Sequence, residues 1–279
     1  MEYHEASLYL ESLQRRRPNF GTETTARLLS FLGAPHDALE CVQIGGSNGK
    51  GSTARMLERI LRVGGKRVGL YTSPGLNDVR ERIRVDGRKI PKRDVASFTE
   101  TIEPYLEELP DADSPTYFEV LTALAFEHFE RENVDVAILE VGIGGRYDAT
   151  SVIDPIASAV TSVSLEHTDL LGDTVEEIAR DKAQIAPSGR PLVTGATGAA
   201  LAAIKDLTDV VTVGAEGSDV VAVETEMAST TESSISIAAS EWALEARCPL
   251  LGEHQAVNAG IAATLARQIG VVDTEAIAD

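Results

Sequence analysis

The sequence predicts an α/β fold, a mostly parallel, doubly wound sheet, with a small antiparallel β section near residues 219–249. Three observations carry this prediction. Apolar, strand-length runs at 41–44, 66–71, 134–141, 156–163, 192–194 and 210–213 alternate with segments of helical period. That alternation describes a parallel sheet covered on both faces. Between 219 and 249, Val, Thr, Ser and Ile alternate with period two, as half-buried antiparallel strands do. Finally, Gly45-Gly46-Ser47-Asn48-Gly49-Lys50-Gly51-Ser52 stands between an apolar run and a helical pattern. Strand, glycine-rich turn and helix start, in that order, favour a phosphate cradle over a mere glycine turn with a solvated lysine, although three residues between Gly45 and Gly49 and Gly51 after Lys50 depart from the general P-loop pattern.

The elements follow in order. Residues 2–16 and 22–32 carry helical periodicity, joined by Pro18-Asn19-Phe20-Gly21, and Gly33-Ala34-Pro35 stops the second helix. The strand at 41–44 leads through the glycine loop into a helix ending near Val63, capped by Gly64-Gly65. Lys66–Tyr71 is the next strand, and residues 73–91 a loop with a hairpin turning at Asp86-Gly87. Helices are expected from Pro91 to Leu109 and from Tyr117 to Glu132. The run 134–141 is a continuous apolar strand that delivers a carboxylate, Glu140, near its end. Further helices at 174–186 and 198–207 separate the later strands; 220–226, 234–239 and 242–246 form the antiparallel section, and 255–269 closes as a helix.

Composition narrows the class. At 279 residues the chain can bury a large core and suits one big α/β domain or two small ones; it is read here as one. No apolar run reaches membrane-spanning length and Met1–Glu5 is not a signal peptide, so a cytoplasmic protein without membrane contact is expected. Cys41 and Cys248 sit in apolar contexts and read as buried thiols. The net charge is −19, and only six of the 25 basic residues are lysines. This balance suggests a halophilic surface whose self-repulsion salt screens. No basic stripe stands out, Arg15-Arg16-Arg17 reading as a solvated helix end, so a nucleic-acid partner is not expected.

In a doubly wound sheet, chemistry gathers beyond the carboxyl ends of the strands. Four groups fall there: Ser73 after the strand 66–71, Glu140 at its own strand's end, Glu166-His167 after 156–163, and Lys182 on the following helix. Each has an ordinary alternative: a loop carboxylate, a core histidine, a solvated helix lysine. Beside a phosphate cradle they read jointly as a metal and phosphate cluster.

Several segments then resemble the folylpolyglutamate synthase and dihydrofolate synthase branch of the Mur ligase superfamily. They are Gly46-Ser47-Asn48-Gly49-Lys50-Gly51-Ser52, Tyr71-Thr72-Ser73-Pro74-Gly75-Leu76, Glu81-Arg82-Ile83, Tyr117-Phe118-Glu119, the run from Glu140 to Thr150, His167-Thr168, the run from Glu177 to Ala183, and the run from Gly252 to Ala259. The resemblance implies that Gly46, Ser47, Asn48, Gly49, Lys50, Gly51 and Ser52 hold the phosphates of ATP, with His254, Gln255 and Asn258 near the adenine. It implies that Ser73 and Glu140 ligate one Mg²⁺, and that Glu140, His167 and a carbamylated Lys182 support a second. Lys50, Glu140, His167 and Lys182 are then the catalytic set. Pro74, Arg82, Tyr117, Phe118, Glu119, Arg146 and Asp148 would shape a pterin or folate pocket, with 73–83 and 144–150 as mobile loops.

The implied reaction joins L-glutamate to dihydropteroate or a folate through an acyl phosphate, at the expense of ATP, in a monomer. The alternatives are a Mur-type ligase acting on a cell-wall or amino-acid polymer substrate, and a catalytically incomplete nucleotide-binding fragment. Three residues depart from the family pattern: Gly75 where histidine is usual, Glu166 for aspartate, and Tyr117 for phenylalanine. The family also carries a C-terminal, glutamate-binding domain that is expected to be absent from residues 1–279.

Overall fold

The computed structural model describes residues 1–15, 21–110, 113–214 and 221–271. Arg16, Arg17, the turn 18–20 and Val220 lie outside the described residues.

Among the described residues, eleven strands form one sheet in the order β11-β10-β9-β8-β7-β6-β1-β5-β2-β3-β4. Its centre is parallel: β1 (Cys41–Gly45) lies between β5 (Val136–Glu140) and β6 (Ala157–Val160). β2 (Val68–Tyr71) pairs parallel with β5, while β7 (Leu192–Thr194) and β8 (Val210–Gly214) extend the other side in parallel. The expected hairpin is β3 (Ile83–Val85) and β4 (Arg88–Lys89), antiparallel on the β2 edge.

The antiparallel section is β9 (Val221–Met227), β10 (Ser233–Ala239) and β11 (Ala243–Cys248). It continues the main sheet, because Val213 and Gly214 of β8 pair in parallel with Val221 and Ala222. Period two along each strand explains the exposed section's alternation: Ile235 and Ile237 point inward while Ser234 and Ser236 are only partly buried.

Both faces of the parallel centre are covered. Val42 and Ile44 of β1 and Val136 and Ile138 of β5 meet α3 (Lys50–Val63) and α9 (Glu253–Gln268) on one face. Cys41, Ala137 and Leu139, one residue out of phase, meet a second cluster on the other. That cluster is built by α1 (Tyr3–Ser12), α2 (Glu23–Phe31), α4 (Lys92–Glu108) and α5 (Tyr117–Arg131). α3 presents Ala54, Leu57, Ile60 and Leu61 at helical spacing to the sheet and α9. Each large side chain among them contributes about 1.5–3 kcal/mol of burial, so Leu61→Ala would remove about 2–5 kcal/mol.

Beyond β6 come a single-turn α6 (Thr168–Leu171), α7 (Val175–Lys182) and α8 (Gly198–Lys205). α5 and α7 both begin with a capping box, Thr116 with Glu119 and Thr174 with Glu177. Cys41 and Cys248 are buried free thiols, as expected. No helix among the described residues is long and apolar enough to cross a membrane. The parallel registers bring the loops after β1, β2, β5 and β6 to one edge, at the position where the strand order reverses.

Candidate active site

The loop after β1 turns through two glycines with positive φ, Gly46 at +133° and Gly49 at +91°. No side chain fits at either position. A Cβ on Gly46 would lie 2.1 Å from the Thr161 hydroxyl, and one on Gly49 would lie 2.4 Å from Asn258 Oδ1. The loop is braced from β6's end: Ser47 N donates to Ser162 O at 2.8 Å, Asn48 N to Ser162 Oγ at 3.1 Å, and Thr161 Oγ1 donates to Asn48 O at 2.6 Å. Lys50 opens α3 and its ammonium folds back, donating to Gly46 O at 2.8 Å and Ser47 O at 3.2 Å. This sets one cation beside the N-terminus of α3, whose first backbone N–H groups have no partner within the helix.

Glu140 ends β5 in the interior, 4% exposed, and its Oε2 accepts the Ser73 backbone N–H at 2.8 Å. Burial pushes this carboxyl up, opposed by the Ser73 bond and the Lys50 charge. Lys50 is pushed down, first by burial and then by Lys182, which places the two ammonium groups in one field. Lys182 is 1% exposed, and its Nζ donates to Glu166 Oε1 at 2.9 Å. Burial raises the Glu166 carboxyl, but the Lys182 and Ser47 bonds outweigh it, and it titrates below its ordinary value.

A cavity of about 610 Å³ opens at Ser73 and runs away from the phosphate loop. Six of the seven expected pocket residues, Pro74, Arg82, Tyr117, Phe118, Glu119 and Asp148, line it, as do Leu13, Ile143, Tyr147, Leu170 and Leu171. Its walls are mostly apolar and aromatic, and the Arg82 guanidinium lies 5.3 Å over the Tyr117 ring. Ile143, Tyr147 and Leu170 remain about half exposed at its rim.

Two of these acids have structural work to do. Asp148 is buried and accepts four bonds, from Gly142 N (2.9 Å), Ile143 N (3.2 Å), Thr150 N (2.9 Å) and the Thr150 hydroxyl (2.6 Å). It thereby fixes the 142–150 loop, and burial pushes its carboxyl up. Glu119 Oε2 accepts the Thr116 N–H at 2.7 Å and so caps α5.

The structure separates the predicted residues into groups. Lys50, Glu140, Glu166 and Lys182 share one electrostatic field, and Gly51 adjoins Glu140, with both carboxylate oxygens 3.5 Å from where its Cβ would be. Asn258 is buried against Gly49 and donates to Gln255 Oε1 at 3.2 Å, so the start of α9 meets the phosphate loop. Arg146 stays outside the cavity lining, stacked 4.8 Å over Tyr147. His254 is exposed. His167 is exposed with φ +47°, and among the described residues its ring has no hydrogen-bond or ion-pair partner.

Sequence reasoning missed Thr161 and Ser162, the loop's brace, and Gln43, whose buried amide donates to Thr150 Oγ1 at 2.9 Å and Ser151 Oγ at 2.8 Å. A glutamine amid the apolar residues of a central strand was the available signal.

The hard oxygen donors of Ser73 and Glu140, beside the phosphate loop, suit Mg²⁺. Comparison with known proteins bears on the whole arrangement. The Mur ligase middle domain matches residues 44–266. The chain belongs to the Mur ligase family. Within it, the relatives are of the folylpolyglutamate synthase branch. A "probable bifunctional folylpolyglutamate synthase/dihydropteroate synthase" of Halobacterium salinarum is 57% identical over the whole of this chain. A folylpolyglutamate synthase (FPGS) solved as its complex with AMPPCP superposes with a TM-score of 0.88 at 31% identity, over 99% of this chain and 70% of that one. Escherichia coli FolC, solved in complex with DHPP and ADP, gives 0.82 at 31% identity, over 100% of this chain and 65% of that one. The chain spans about a third of the Halobacterium relative, 35% of its length. The mixed α/β sheet is thus this family's fold.

Proposed function

We propose that residues 1–279 form the ATP- and acceptor-binding part of a ligase that joins L-glutamate to a pteroate or folate carboxylate. The observation that carries this reading is the meeting of phosphate loop and cavity at Ser73, whose backbone is bonded to Glu140 and whose side borders the cavity. A flat aromatic acceptor lying along Tyr117 and Phe118 would direct its far carboxylate toward the phosphates held at 46–52. The AMPPCP complex of one relative and the DHPP and ADP complex of another support two ligands of this kind.

The chemistry follows from the groups involved. A carboxylate and an amine do not condense in water, because hydroxide is a poor leaving group. One acceptor carboxylate oxygen attacks the γ-phosphorus, the bond to the β-phosphate oxygen breaks, and ADP leaves. The acyl phosphate carbonyl is then attacked by the glutamate amine; the C–O bond to phosphate breaks and the amine proton goes to solvent. Lys50 leaves the loop carbonyls to neutralise charge on the transferring group, and the backbone N–H groups of 50–52, at the start of α3, orient it. Ser73 and Glu140 would hold Mg²⁺, which supplies further charge neutralisation there. Glu140, His167 and a carbamylated Lys182 would support a second ion. A carbamate on Lys182 would face the Glu166 carboxylate that now binds its ammonium, so carbamate and second cation must occur together. His254 and Gln255 would flank the adenine. In the cell we place this ligase in the cytoplasm as a monomer, with a surface suited to high salt.

The test is a glutamate-ligation assay on the full-length gene product, with dihydropteroate, tetrahydrofolate and a muramyl precursor in parallel. Turnover with a pteroate or folate is expected; turnover with the muramyl precursor alone would move the protein to the cell-wall branch. Residues 1–279 alone are expected to bind nucleotide without ligating glutamate. Ser73→Ala should weaken Mg²⁺-ATP use while the circular dichroism spectrum stays unchanged.

A further inference from the structure

A second cluster of ligating side chains lies at the opposite end of α5 from the cavity. Asp94 on the first turn of α4, and His128 and Glu132 one helical turn apart on α5 and its C-cap, bring one ligand atom each within 4.8 Å of one another. From Phe118 in the cavity wall to His128, α5 rises about 15 Å at 1.5 Å per residue, so the cluster is remote from the phosphate loop.

His128 is decisive. Its side chain is 3% exposed, and its Nδ1 has no hydrogen-bond partner although it is buried. Nδ1 points toward Asp94 Oδ2 at 3.6 Å, too far for a hydrogen bond. In a tetrahedral zinc site, with metal–ligand bonds of about 2.0–2.2 Å, ligand atoms stand about 3.4 Å apart. The gap is that of two ligands about one ion. Asp94 is the other inner wall, 13% exposed, and spends Oδ1 on Arg93. Glu132 is the outer wall, about one third exposed, and is paired with Arg67. Arg67 would keep a partner if Glu132 turned inward, because its Nε also donates to the Glu132 backbone carbonyl at 2.7 Å and its guanidinium lies 3.6 Å from Asp86. The neighbouring Arg131 is engaged by Glu127 on the next turn.

We propose that Asp94, His128 and Glu132 bind one divalent transition-metal ion of the zinc class, clamping the start of α4 to the end of α5. One imidazole and two carboxylates leave a fourth position for water, the donor set of a zinc or cobalt(II) site and unlike the all-oxygen set that Mg²⁺ takes. Because the ligands come from two helices, the ion binds the folded chain in preference to the unfolded one and raises its stability.

The experiment uses the untagged, chelator-treated chain with excess Mg²⁺ to fill the all-oxygen site. Co²⁺ is titrated while the visible d–d absorption is followed, and Zn²⁺ competes it off. One Co²⁺ per chain with four-coordinate absorption is expected, together with a Zn²⁺-dependent rise in the unfolding midpoint. His128→Ala should abolish the absorption; Asp94→Asn and Glu132→Gln, milder changes at partly exposed positions, should each weaken binding at least about tenfold. Glu140→Gln, at the other site, should retain it. Absence of stoichiometric binding, or absorption that persists in Asp94→Asn and Glu132→Gln, would overturn the proposal.

Discussion

Replacing Asp148 by asparagine would test whether this buried acid is the frame of the cavity loop. Its two oxygens accept four hydrogen bonds, two from Gly142 and Ile143 and two from Thr150. An asparagine can keep its oxygen toward Gly142 and Ile143, but its amide NH₂ then faces Thr150. The Thr150 hydroxyl can rotate to accept; the Thr150 N–H cannot, and becomes an orphaned buried donor. That costs about 1–3 kcal/mol, and loss of charge assistance in the remaining bonds adds about 1 kcal/mol. Removing a buried charge, whose cost shows in the raised carboxyl pKa, returns part of this. A net loss of about 2–3 kcal/mol is expected, which at a urea dependence of about 2–3 kcal/mol per molar lowers the midpoint by about 1 M. Urea unfolding followed by far-ultraviolet circular dichroism measures it. A midpoint within about 0.2 M of the parent's would refute the reasoning.

Other consequences are as direct. Gly49→Ala forces a Cβ into φ +91° and to within 2.4 Å of Asn258 Oδ1, so the loop must shift, and if relieving about 1–2 kcal/mol of strain distorts the bound geometry, calorimetric titration with a non-hydrolysable ATP analogue should show about 5–30-fold weaker binding. Asp78 is partly buried, which raises its carboxyl, but bonds from Arg80 and Tyr3 dominate and lower it from 3.8 to about 2. A depressed folded value means that its contribution is complete above pH 3.8 and lost as the pH falls toward about 2; Asp78→Asn should flatten that part of the acid-unfolding curve, and an unchanged curve would contradict the pairing. Burial raises the Cys41 thiol to about 12 and also raises that of Cys248, so a thiol reagent at pH 8 should label neither at an appreciable rate until denaturant is added.

The fold was legible wherever one physical rule governed a segment. The central strands are buried on both faces, so Val136–Leu139 reads as a continuous apolar run, and 41–44 as one interrupted only by Gln43. The 219–249 section showed its alternation but not its attachment, since the pairing of Val213 with Val221 depends on neighbours distant in the sequence. Short elements such as Val79–Glu81 and Thr168–Leu171 have too few residues to establish a period. At the site, the glycine loop with Lys50 was legible because its spacing is local. Asp148 and Glu119 were placed at the cavity, where both do lie, but their hydrogen bonds to loop and helix backbones could be seen only in three dimensions. Thr116-Tyr117-Phe118-Glu119 in fact carries the capping-box spacing, a signal masked by its place beside the cavity. The Glu166–Lys182 pair spans 16 residues and depends on how the end of α7 packs, against Gly144 and Gly145, which no periodicity encodes.

The central claim is that phosphate loop and cavity cooperate to activate the acceptor's carboxylate as an acyl phosphate. Its most direct test is oxygen transfer: the full-length protein turns over an acceptor labelled with ¹⁸O at both oxygens of the reacting carboxylate, with ATP, Mg²⁺ and L-glutamate. The released inorganic phosphate is then analysed by mass spectrometry. The account predicts one ¹⁸O in each phosphate formed and one retained in the new amide. Phosphate without label, alongside ligated product, would contradict it.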